Sequence, residues 1–207
     1  MRALVRTAGV ALAWLPVLLA ALLVSPSAAQ DAPGPQPELV IGNAAAPVTI
    51  IEYASLTCGH CATFHTKVLP GLKAKYLATG KVRLIYRDFP LDDLAMAATL
   101  LSRCAATPEK SLEMVGQLFA QQDTWASPKT AEVELKKLGA QFGLSDGAFD
   151  ACFKNDALYE ALVKAQEHAE TVLKVDSTPS FFINGKIFEG DHSLEGFDKA
   201  LQPLIKN

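Results

Sequence analysis

The stretch PVTIIEYASLTCGHCATF, residues 47–64, joins an apolar segment directly to two cysteines three positions apart. The density of β-branched and aromatic residues in residues 47–55 favours a buried strand over a helix. Apolar side chains then recur every four residues, at Phe64, Val68, Leu72 and Tyr76. This spacing predicts a helix that begins near Cys58 and presents one apolar face to a core. Both cysteines therefore lie where a strand passes into a helix.

Three further strands are predicted on the C-terminal side of this junction. Residues 81–90 alternate apolar and arginine side chains, which indicates a strand that pairs parallel to the first after a right-handed helical crossover. Pro70 falls within the intervening helix, where its missing N–H predicts a kink. Residues 178–190 contain two apolar runs joined by Asn-Gly, the pattern of a β-hairpin. A closing helix from Leu194 to Ile205 follows.

A long helical region separates these two parts of the predicted sheet. Between residues 91 and 175, apolar side chains recur at helical spacing in several segments. The region is predicted to form four or five helices, which is too many for a simple connection. The fold is therefore predicted to be α/β, with a strand-helix-strand half and a hairpin-helix half on either side of a helical insertion.

Residues 1–29 have the layout of a secretory signal peptide. Arg2 and Arg6 precede an apolar segment from Gly9 to Val24, and small residues follow it. Cleavage is predicted after Ala29. An uncleaved membrane anchor is the alternative, but the apolar segment is shorter than the roughly 20 residues that span a bilayer.

The chain after the predicted cleavage site has the size and charge of a single exported domain. Residues 30–46 are predicted to be a proline-rich leader that precedes the fold. Without the signal, 178 residues remain and the formal charge of −3 becomes −5. This length suits one domain with a substantial core, and the absence of a Lys/Arg cluster argues against nucleic-acid binding. In an oxidising compartment, disulfides form and persist.

Cys58 is the predicted nucleophile of the Cys-x-x-Cys pair. Two cysteines at positions i and i+3 lie on the same face of a helix, close enough to form a disulfide. The first sulfur then lies at the helix N-terminus, where unpaired N–H groups and the helix dipole favour a thiolate over a thiol. Gly59 leaves space for an incoming chain, and His60 can add positive charge or donate a hydrogen bond to the sulfur.

A low pKa at Cys58 predicts the direction of the reaction. Part of the gain in thiolate is cancelled, because a less basic sulfur is a weaker nucleophile. Each unit by which the pKa lies below ambient pH also favours the reduced form by about 1.4 kcal/mol, or roughly 30 mV for a two-electron couple. A strongly lowered pKa therefore predicts a protein that donates its disulfide.

Two alternatives to a redox-active pair are a plain stabilising disulfide and half of a zinc site. A zinc site with four ligands usually needs a second close pair, whereas Cys104 and Cys152 stand 48 residues apart. His65 follows Cys61 by four residues, but a surface position on the helix is the more common role for such a histidine. No metal ligand is therefore assigned, and the order of strand, Cys-x-x-Cys and helix is itself typical of redox proteins.

Two segments of the chain resemble the DsbA family of thiol:disulfide oxidoreductases. They are Glu52-Tyr53-Ala54-Ser55 followed by Cys58-Gly59-His60-Cys61 and Phe64, and Thr178-Pro179-Ser180-Phe181-Phe182-Ile183-Asn184-Gly185. The resemblance implies a thioredoxin fold interrupted by an all-helical subdomain. Its implied boundaries are residues 47–90 for the first half of the thioredoxin fold, 91–175 for the insertion and 176–207 for the second half.

The resemblance also implies a role for each matching site residue. Cys58 exchanges its disulfide with the substrate, and Cys61 resolves the mixed disulfide. Pro179 is expected to be cis and to lie beside the two sulfurs, so that Thr178 can pair with an extended substrate strand. Glu52 matches the family's buried acidic residue and is expected to accept a proton from Cys61. A strand glutamate with a purely structural role is the alternative.

Two departures from the best-known family pattern concern the strength of the oxidant. Gly59 and His60 replace a Pro-His dipeptide, and Gly-His is the dipeptide of eukaryotic protein disulfide isomerases. Thr178 before the proline also occurs in isomerase and reductase members. An isomerase or reductase on the same fold is therefore the alternative function, and a periplasmic metal-binding carrier is the alternative from a different class.

Cys104 and Cys152 remain once Cys58 and Cys61 are assigned as the redox pair, and they are expected to form a structural disulfide within the insertion. Two buried free thiols are the alternative. A bridge that closes a loop of about 49 residues would contribute up to roughly 4 kcal/mol to stability in the chain-entropy model.

The function predicted from the sequence is that of a periplasmic dithiol oxidase without a cofactor. It would donate the Cys58–Cys61 disulfide to reduced exported proteins, and by resemblance a DsbB-like membrane reoxidase would recycle it. The mildly acidic chain contains no evident dimerisation module, which favours a monomer.

Overall fold

The computed structural model describes residues 37–205, and its centre is a mixed five-stranded sheet. The strands are β1 (Leu39–Gly42), β2 (Val48–Ala54), β3 (Val82–Asp88), β4 (Ser180–Ile183) and β5 (Lys186–Ile187). In space they lie in the order β1-β3-β2-β4-β5. β2 and β3 are parallel, and the other neighbouring pairs are antiparallel. β2 is therefore the central strand, and its C-terminal end lies in the middle of the row of strand ends.

The helical connection between β2 and β3 contains widened turns on both sides of Pro70. It consists of α1 (Gly59–Thr63), the π-helical segment π1 (Phe64–Val68), α2 (Leu69–Leu72) and a second segment π2 (Lys73–Leu77). Directly before Pro70, the Leu69 N–H donates to the Phe64 carbonyl, one residue further back than in an α-helix. The interruption expected at Pro70 is therefore present as a π-helical turn.

Six helices lie between β3 and β4, where four or five were expected. They are α3 (Asp93–Arg103), α4 (Pro108–Ala120), α5 (Gln122–Trp125), α6 (Ala131–Gln141), α7 (Asp146–Phe153) and α8 (Asp156–Thr171). The short α5 follows α4 almost directly. Its four residues are too few to show a helical repeat in the sequence, so periodicity does not reveal it.

The hairpin and the closing helix agree with the sequence prediction. Asn184 and Gly185 form the turn with φ values of 46° and 79°, the left-handed conformation that a tight hairpin requires at both positions. α9 (Leu194–Leu201) then buries Phe197 completely and ends before the predicted Ile205. Together with the mixed sheet and the helices between β3 and β4, these elements confirm a thioredoxin fold with an inserted all-helical subdomain.

The prediction that residues 30–46 precede the fold is wrong for Leu39–Gly42, which form β1 at the edge of the sheet. β1 pairs with β3, and Leu39 is 1% exposed. Just before the strand, Glu38 Oε1 accepts a hydrogen bond of 2.9 Å from Arg87 Nη2 of β3. Four residues carry little strand signal of their own, so pairing with β3 determines their conformation.

One hydrophobic core continues from the sheet into the helical insertion. Leu84 and Phe181 of the sheet and Leu101 and Leu118 of the insertion belong to the same buried cluster. A second, smaller cluster covers the other face of the sheet. Because close packing resists displacement, the shared core holds the insertion in a fixed position beside the end of β2.

The predicted signal peptide, residues 1–29, and its cleavage after Ala29 lie outside the described part of the chain. Residues 30–36 of the proline-rich leader also lie outside it. Within residues 37–205, none of the helices has the length and hydropathy needed to cross a membrane.

Candidate active site

Cys58 lies at the N-terminus of α1, after the loop that leaves β2. Its φ of −78° and ψ of 117° are extended, so Cys58 is the N-cap residue and the helix begins at Gly59. Its Sγ accepts a hydrogen bond from the Cys61 N–H at 3.4 Å. No disulfide joins Cys58 to Cys61, and the structure therefore describes the dithiol form.

Hydrogen bonds lower the pKa of Cys58 from 9.0 to about 5. The largest cause is the hydrogen bond from the Cys61 thiol, and further hydrogen bonds come from the Thr178 side chain and from the main chain of Cys61 and His60. Partial burial of the sulfur raises the pKa and opposes part of this effect. At neutral pH the reduced protein therefore carries a thiolate at Cys58.

Cys61 has the opposite environment. It is 0% exposed, and its pKa is raised far above the ordinary value. The causes are, in order, the hydrogen bond with Cys58, burial and the negative charge of Glu52. Cys61 therefore stays protonated in the reduced protein, and the pair consists of one thiolate and one thiol.

The reduced protein is expected to lose stability in acid through Cys58. Its folded-state pKa lies below that of an unfolded cysteine, about 8.5, so the thiolate contribution is complete above pH 8.5 and is lost as pH falls through about 5. Because the sulfur is partly exposed to solvent, we discount the contribution to about 2 kcal/mol. Denaturant unfolding of the reduced protein at pH 4.5 and pH 8 measures it.

A Cys58→Ser variant is the control for this pH dependence. Cys61 loses its hydrogen bond with Cys58 in this variant, but burial and the charge of Glu52 still raise its pKa. It therefore stays protonated at both pH values, and the difference between the two proteins reports the thiolate. Equal pH dependence in the reduced wild-type protein and the variant would contradict the lowered pKa.

Thr178 contacts Cys58 through the cis peptide bond that precedes Pro179. The Cys58 thiol donates to the Thr178 carbonyl at 3.3 Å. The Thr178 hydroxyl oxygen is buried, and its hydrogen bond to the sulfur contributes to the lowered pKa of Cys58. Because a hydroxyl hydrogen can rotate, this group can donate to the sulfur once Cys58 has lost its proton. Thr178 therefore suits both protonation states of Cys58.

A groove of about 510 Å³ lies beside the sulfurs, between α1 and the cis peptide bond. His60 and Phe64 line one side, and Thr178 and Pro179 line the other. Next to His60, a Cβ at Gly59 would meet no atom within 4 Å, so the space around this residue is open. An extended chain in the groove would therefore lie alongside Cys58 and the main chain of Thr178.

His60 acts on Cys58 through its main chain. The residue is exposed, and the hydrogen bond through which it lowers the pKa of Cys58 is a backbone one. Among the described residues, the hydrogen bonds of the Cys58 sulfur join it to Cys61 and Thr178 rather than to the His60 imidazole. The positive charge or side-chain hydrogen bond that His60 can supply stays a prediction, and its main chain contributes to the lowered pKa of Cys58.

Glu52 and His65 form a buried pair of an acid and a histidine. Glu52 on β2 is 0% exposed, and its Oε1 and Oε2 lie 3.2 and 3.0 Å from His65 Nε2. The His65 side chain is 4% exposed, and its ring stacks on Phe119 of α4 with 4.1 Å between centroids. The expectation of a surface histidine is wrong, because the imidazole bonds to the buried Glu52 carboxylate and stacks on Phe119.

A metal centre at the cysteines would need Cys58, Cys61 and a nearby histidine or carboxylate. His65 bonds to Glu52 instead. Across residues 37–205, no three His, Cys, Asp or Glu side chains come together as a metal site requires.

The helical insertion holds the active-site loop through two residues that the sequence analysis did not identify. Gln122 of α5 donates from Nε2 to the carbonyls of Leu56 and Cys58 at 2.7 and 3.2 Å. Asp92, the N-cap residue of α3, accepts a hydrogen bond of 2.7 Å from Thr57. No motif marks Gln122 or Asp92, because their partners lie 66 and 35 positions away in the chain.

A Gln122→Ala variant is expected to lower the free energy of unfolding by about 1–2 kcal/mol, because it leaves two part-buried carbonyls without this donor. Gln121→Ala is the matched control. The Gln121 side chain bonds to Gln117 in an exposed position, so the expected loss is within about 0.5 kcal/mol. Denaturant unfolding measures both variants, and equal losses would refute a specific role for Gln122.

Comparison with known proteins gives one family and several similar structures. The family model described as Thioredoxin matches residues 35–203. The crystal structure of Wolbachia pipientis alpha-DsbA1 has a TM-score of 0.76 and 31% sequence identity, covering 83% of this chain and 93% of that one. BdbD from Bacillus subtilis, in its oxidised form, has a TM-score of 0.73 at 16% identity, covering 82% of this chain and 94% of that one, and supports the fold alone.

Among curated sequences, a Rickettsia felis protein named "Putative protein-disulfide oxidoreductase" is 31% identical over 169 residues. The match covers 82% of this chain and 60% of the Rickettsia felis protein. A Rickettsia typhi protein with a similar name is 29% identical, and the match covers 63% of its length. The chain therefore spans about three fifths of the length of these curated relatives.

Proposed function

This chain belongs to the thioredoxin family and, within it, to the DsbA type, and on that basis we propose that it is a thiol:disulfide oxidoreductase that donates its Cys58–Cys61 disulfide to exported substrate proteins. The observation that carries the proposal is the difference in protonation state between the two cysteines. A thiolate at the exposed helix terminus faces a fully buried thiol, with the pKa of Cys58 lowered and that of Cys61 raised. This asymmetry is what a disulfide donor needs, because it stabilises the reduced product.

The proposed reaction consists of two exchange steps at Cys58. A substrate thiolate attacks Cys58 Sγ of the disulfide form, the bond to Cys61 breaks, and Cys61 leaves with the electron pair and takes up a proton. A second substrate thiolate then attacks the substrate sulfur of the mixed disulfide, and Cys58 leaves as a thiolate. Two substrate thiols are oxidised to a disulfide, and the enzyme disulfide is reduced to a dithiol.

The groove beside Cys58 supports a substrate that binds as an extended chain. Thr178 and Pro179 at the cis bond line this groove, and a substrate strand in it would lie alongside the main chain of Thr178, where main-chain pairing can form. Main-chain hydrogen bonds of this kind do not depend on the substrate sequence. We therefore propose that many reduced proteins are accepted.

The pKa of Cys58 supports oxidation over reduction as the direction of transfer. A pKa of about 5 lies roughly two units below neutral pH, which favours the reduced form by about 60 mV. Gly59-His60 and Thr178 favour the alternative function, since the same residues occur in isomerases and reductases. The redox equilibrium therefore decides between an oxidase and the alternative.

The test is the equilibrium of the Cys58–Cys61 couple with glutathione, together with oxidation of a reduced, unfolded protein. We expect a couple clearly more oxidising than thioredoxin at about −270 mV, and one substrate disulfide formed for each oxidised enzyme. A couple as reducing as thioredoxin would refute the oxidase proposal. Refolding of a substrate with scrambled disulfides, without net oxidation, would favour an isomerase.

We further propose that the protein acts in the periplasm as a monomer and is reoxidised by a DsbB-like membrane partner. The signal-like pattern of residues 1–29 supports export, and a donated disulfide has to be replaced by another oxidant. Fractionation of cells and sedimentation of the purified protein test the location and the oligomeric state. A cytoplasmic location or a stable dimer would contradict these two assignments.

A further inference from the structure

In the proposed exchange, Cys61 has to take up a proton. When the disulfide breaks, Cys61 leaves as a thiolate, yet its site is 0% exposed and disfavours a charged sulfur. A substrate bound in the groove would cover the side of the active site that carries Cys58. Cys61 therefore needs a proton from a direction other than the groove.

Glu52 acts on Cys61 through its charge, and His65 bonds to Glu52. Both side chains are buried, and the charge of Glu52 contributes to the raised pKa of the Cys61 thiol. The His65 Nε2 lies within hydrogen-bonding distance of both Glu52 oxygens. A buried carboxylate requires such a partner, because an unpaired charge in the interior is costly.

His65 also reaches a second cleft, which has a volume of about 310 Å³. This back cleft is lined by Val40, Ile41 and Gly42 of β1, by His65, Leu69 and Lys73 of the helical connection, and by Glu109, Leu112, Glu113, Val115 and Gly116 of α4. It shares no lining residue with the groove beside Cys58. A substrate in the groove would therefore leave the back cleft open to solvent.

We propose that His65 is a positioning residue that holds Glu52 for proton exchange with Cys61 and connects this buried carboxylate with solvent in the back cleft. The inference rests on the proposed disulfide exchange. It assigns a role to a histidine outside the Cys-x-x-Cys motif and separates the path of the proton from the path of the substrate.

Each transfer in the proposed path moves one proton. As the Cys58–Cys61 bond breaks, His65 gives the proton on Nε2 to the Glu52 carboxylate, and Glu52 passes a proton on to the Cys61 thiolate. His65 then takes a proton from solvent in the back cleft. One proton thus passes from solvent to Cys61, and the reverse sequence releases it when Cys61 attacks a disulfide.

The other titratable groups near His65 do not replace it in this path. Tyr86 of β3 packs edge-on to the His65 ring, but burial raises the pKa of its phenol well above the ordinary value, so it stays protonated. Lys73, Glu109 and Glu113 lie along the back cleft, on the solvent side of His65. β1 contributes no charged side chain to the lining of the cleft.

Asp88 and Arg103 are a further charged pair in this region. Asp88 raises the pKa of the Tyr86 phenol, and Arg103 lowers it. The two side chains bond to each other, with 2.7 Å between Arg103 Nε and Asp88 Oδ2. Their charges are therefore paired, and His65 remains the group that touches both Glu52 and the back cleft.

The first test replaces His65 by glutamine. Glutamine can donate a hydrogen bond to Glu52 but cannot take up a proton near neutral pH. Reduction of the oxidised enzyme by a small dithiol is followed in single turnover by rapid quench and thiol alkylation between pH 5 and 8. We expect His65→Gln to slow the step at least about tenfold and to remove a pH inflection in this range, after correction for the thiolate fraction of the dithiol.

The second test closes the back cleft without touching the buried pair. A Cβ at Gly116 of α4 would meet no atom within 4 Å, so Gly116→Trp can place a large side chain in the cleft mouth. Gly147→Trp on α7 is the matched control, since its Cβ position is equally open and lies outside the cleft lining. We expect Gly116→Trp to slow the same step about tenfold and Gly147→Trp to leave it unchanged.

The outcomes separate this inference from the proposed function. Slowing in His65→Gln and Gly116→Trp with an unchanged Cys58 pKa would support the path. A wild-type rate and pH profile in His65→Gln, or equal rates in the two tryptophan variants, would overturn it while leaving disulfide exchange intact. If His65→Gln does not fold, the tryptophan pair decides alone. No reaction of the wild-type disulfide with the dithiol would refute the proposed function, and the inference with it.

Discussion

A Cys58→Ser variant is expected to transfer disulfides at least about a thousandfold more slowly than the wild-type protein. The variant lacks the lowered-pKa sulfur that forms the mixed disulfide, and a serine hydroxyl is neither ionised at neutral pH nor able to hold a disulfide. The measurement is the rate at which a reduced, unfolded protein gains its disulfide in the presence of each enzyme.

Cys61→Ser is the matched variant, and its expected behaviour is different. It retains Cys58 but has no second sulfur to displace the substrate, so it should accumulate covalent complexes with disulfide-containing proteins. Non-reducing electrophoresis detects these complexes, and a reductant should release them. Equal trapping by Cys58→Ser and Cys61→Ser would contradict the assignment of Cys58 as the exchanging residue.

Removal of the bridge between Cys104 and Cys152 is expected to lower the free energy of unfolding by about 4 kcal/mol. In the structure these cysteines join the end of α3 to α7, with 6.0 Å between their Cα atoms and 48 positions between them in the chain. The link restricts the unfolded chain over most of the helical insertion. A double replacement by alanine, compared with the wild-type protein in a denaturant titration, measures the loss.

The active-site cysteines have to be absent from this comparison, since a free Cys58 could exchange with the bridge. Both proteins should therefore carry Cys58→Ser and Cys61→Ser. A reductant added to the parent should then lower its stability to that of the alanine variant. A loss below about 1 kcal/mol would show that the bridge does not restrict the unfolded chain as the entropy model requires.

The sequence was informative wherever the signal lay within one segment. The density of β-branched and aromatic residues identified β2, the alternation in residues 81–90 identified β3, and the Asn184-Gly185 pair identified the hairpin. Composition, side-chain period and turn geometry are all local properties. The position of Cys58 at a helix N-terminus was predictable for the same reason.

Other features depended on contacts between distant parts of the chain. β1 exists as a strand because it pairs with β3, and Gln122 is important because α5 lies against the loop before α1. The orientation of His65 was predicted wrongly, since four-residue spacing from Cys61 does not show that a buried carboxylate lies opposite. None of these relations has a periodic or short-range pattern in the sequence.

The sequence by itself determined the strand, the Cys-x-x-Cys helix start, the hairpin and the presence of a helical insertion. Only the tertiary structure decided how the two sulfurs differ. Cys58 bonds to Thr178, 120 positions away, whereas Cys61 is buried and the charge of Glu52 acts on it. The physical reason is that secondary structure follows from local backbone preferences, whereas a pKa depends on the solvent, charges and donors that folding brings around a group.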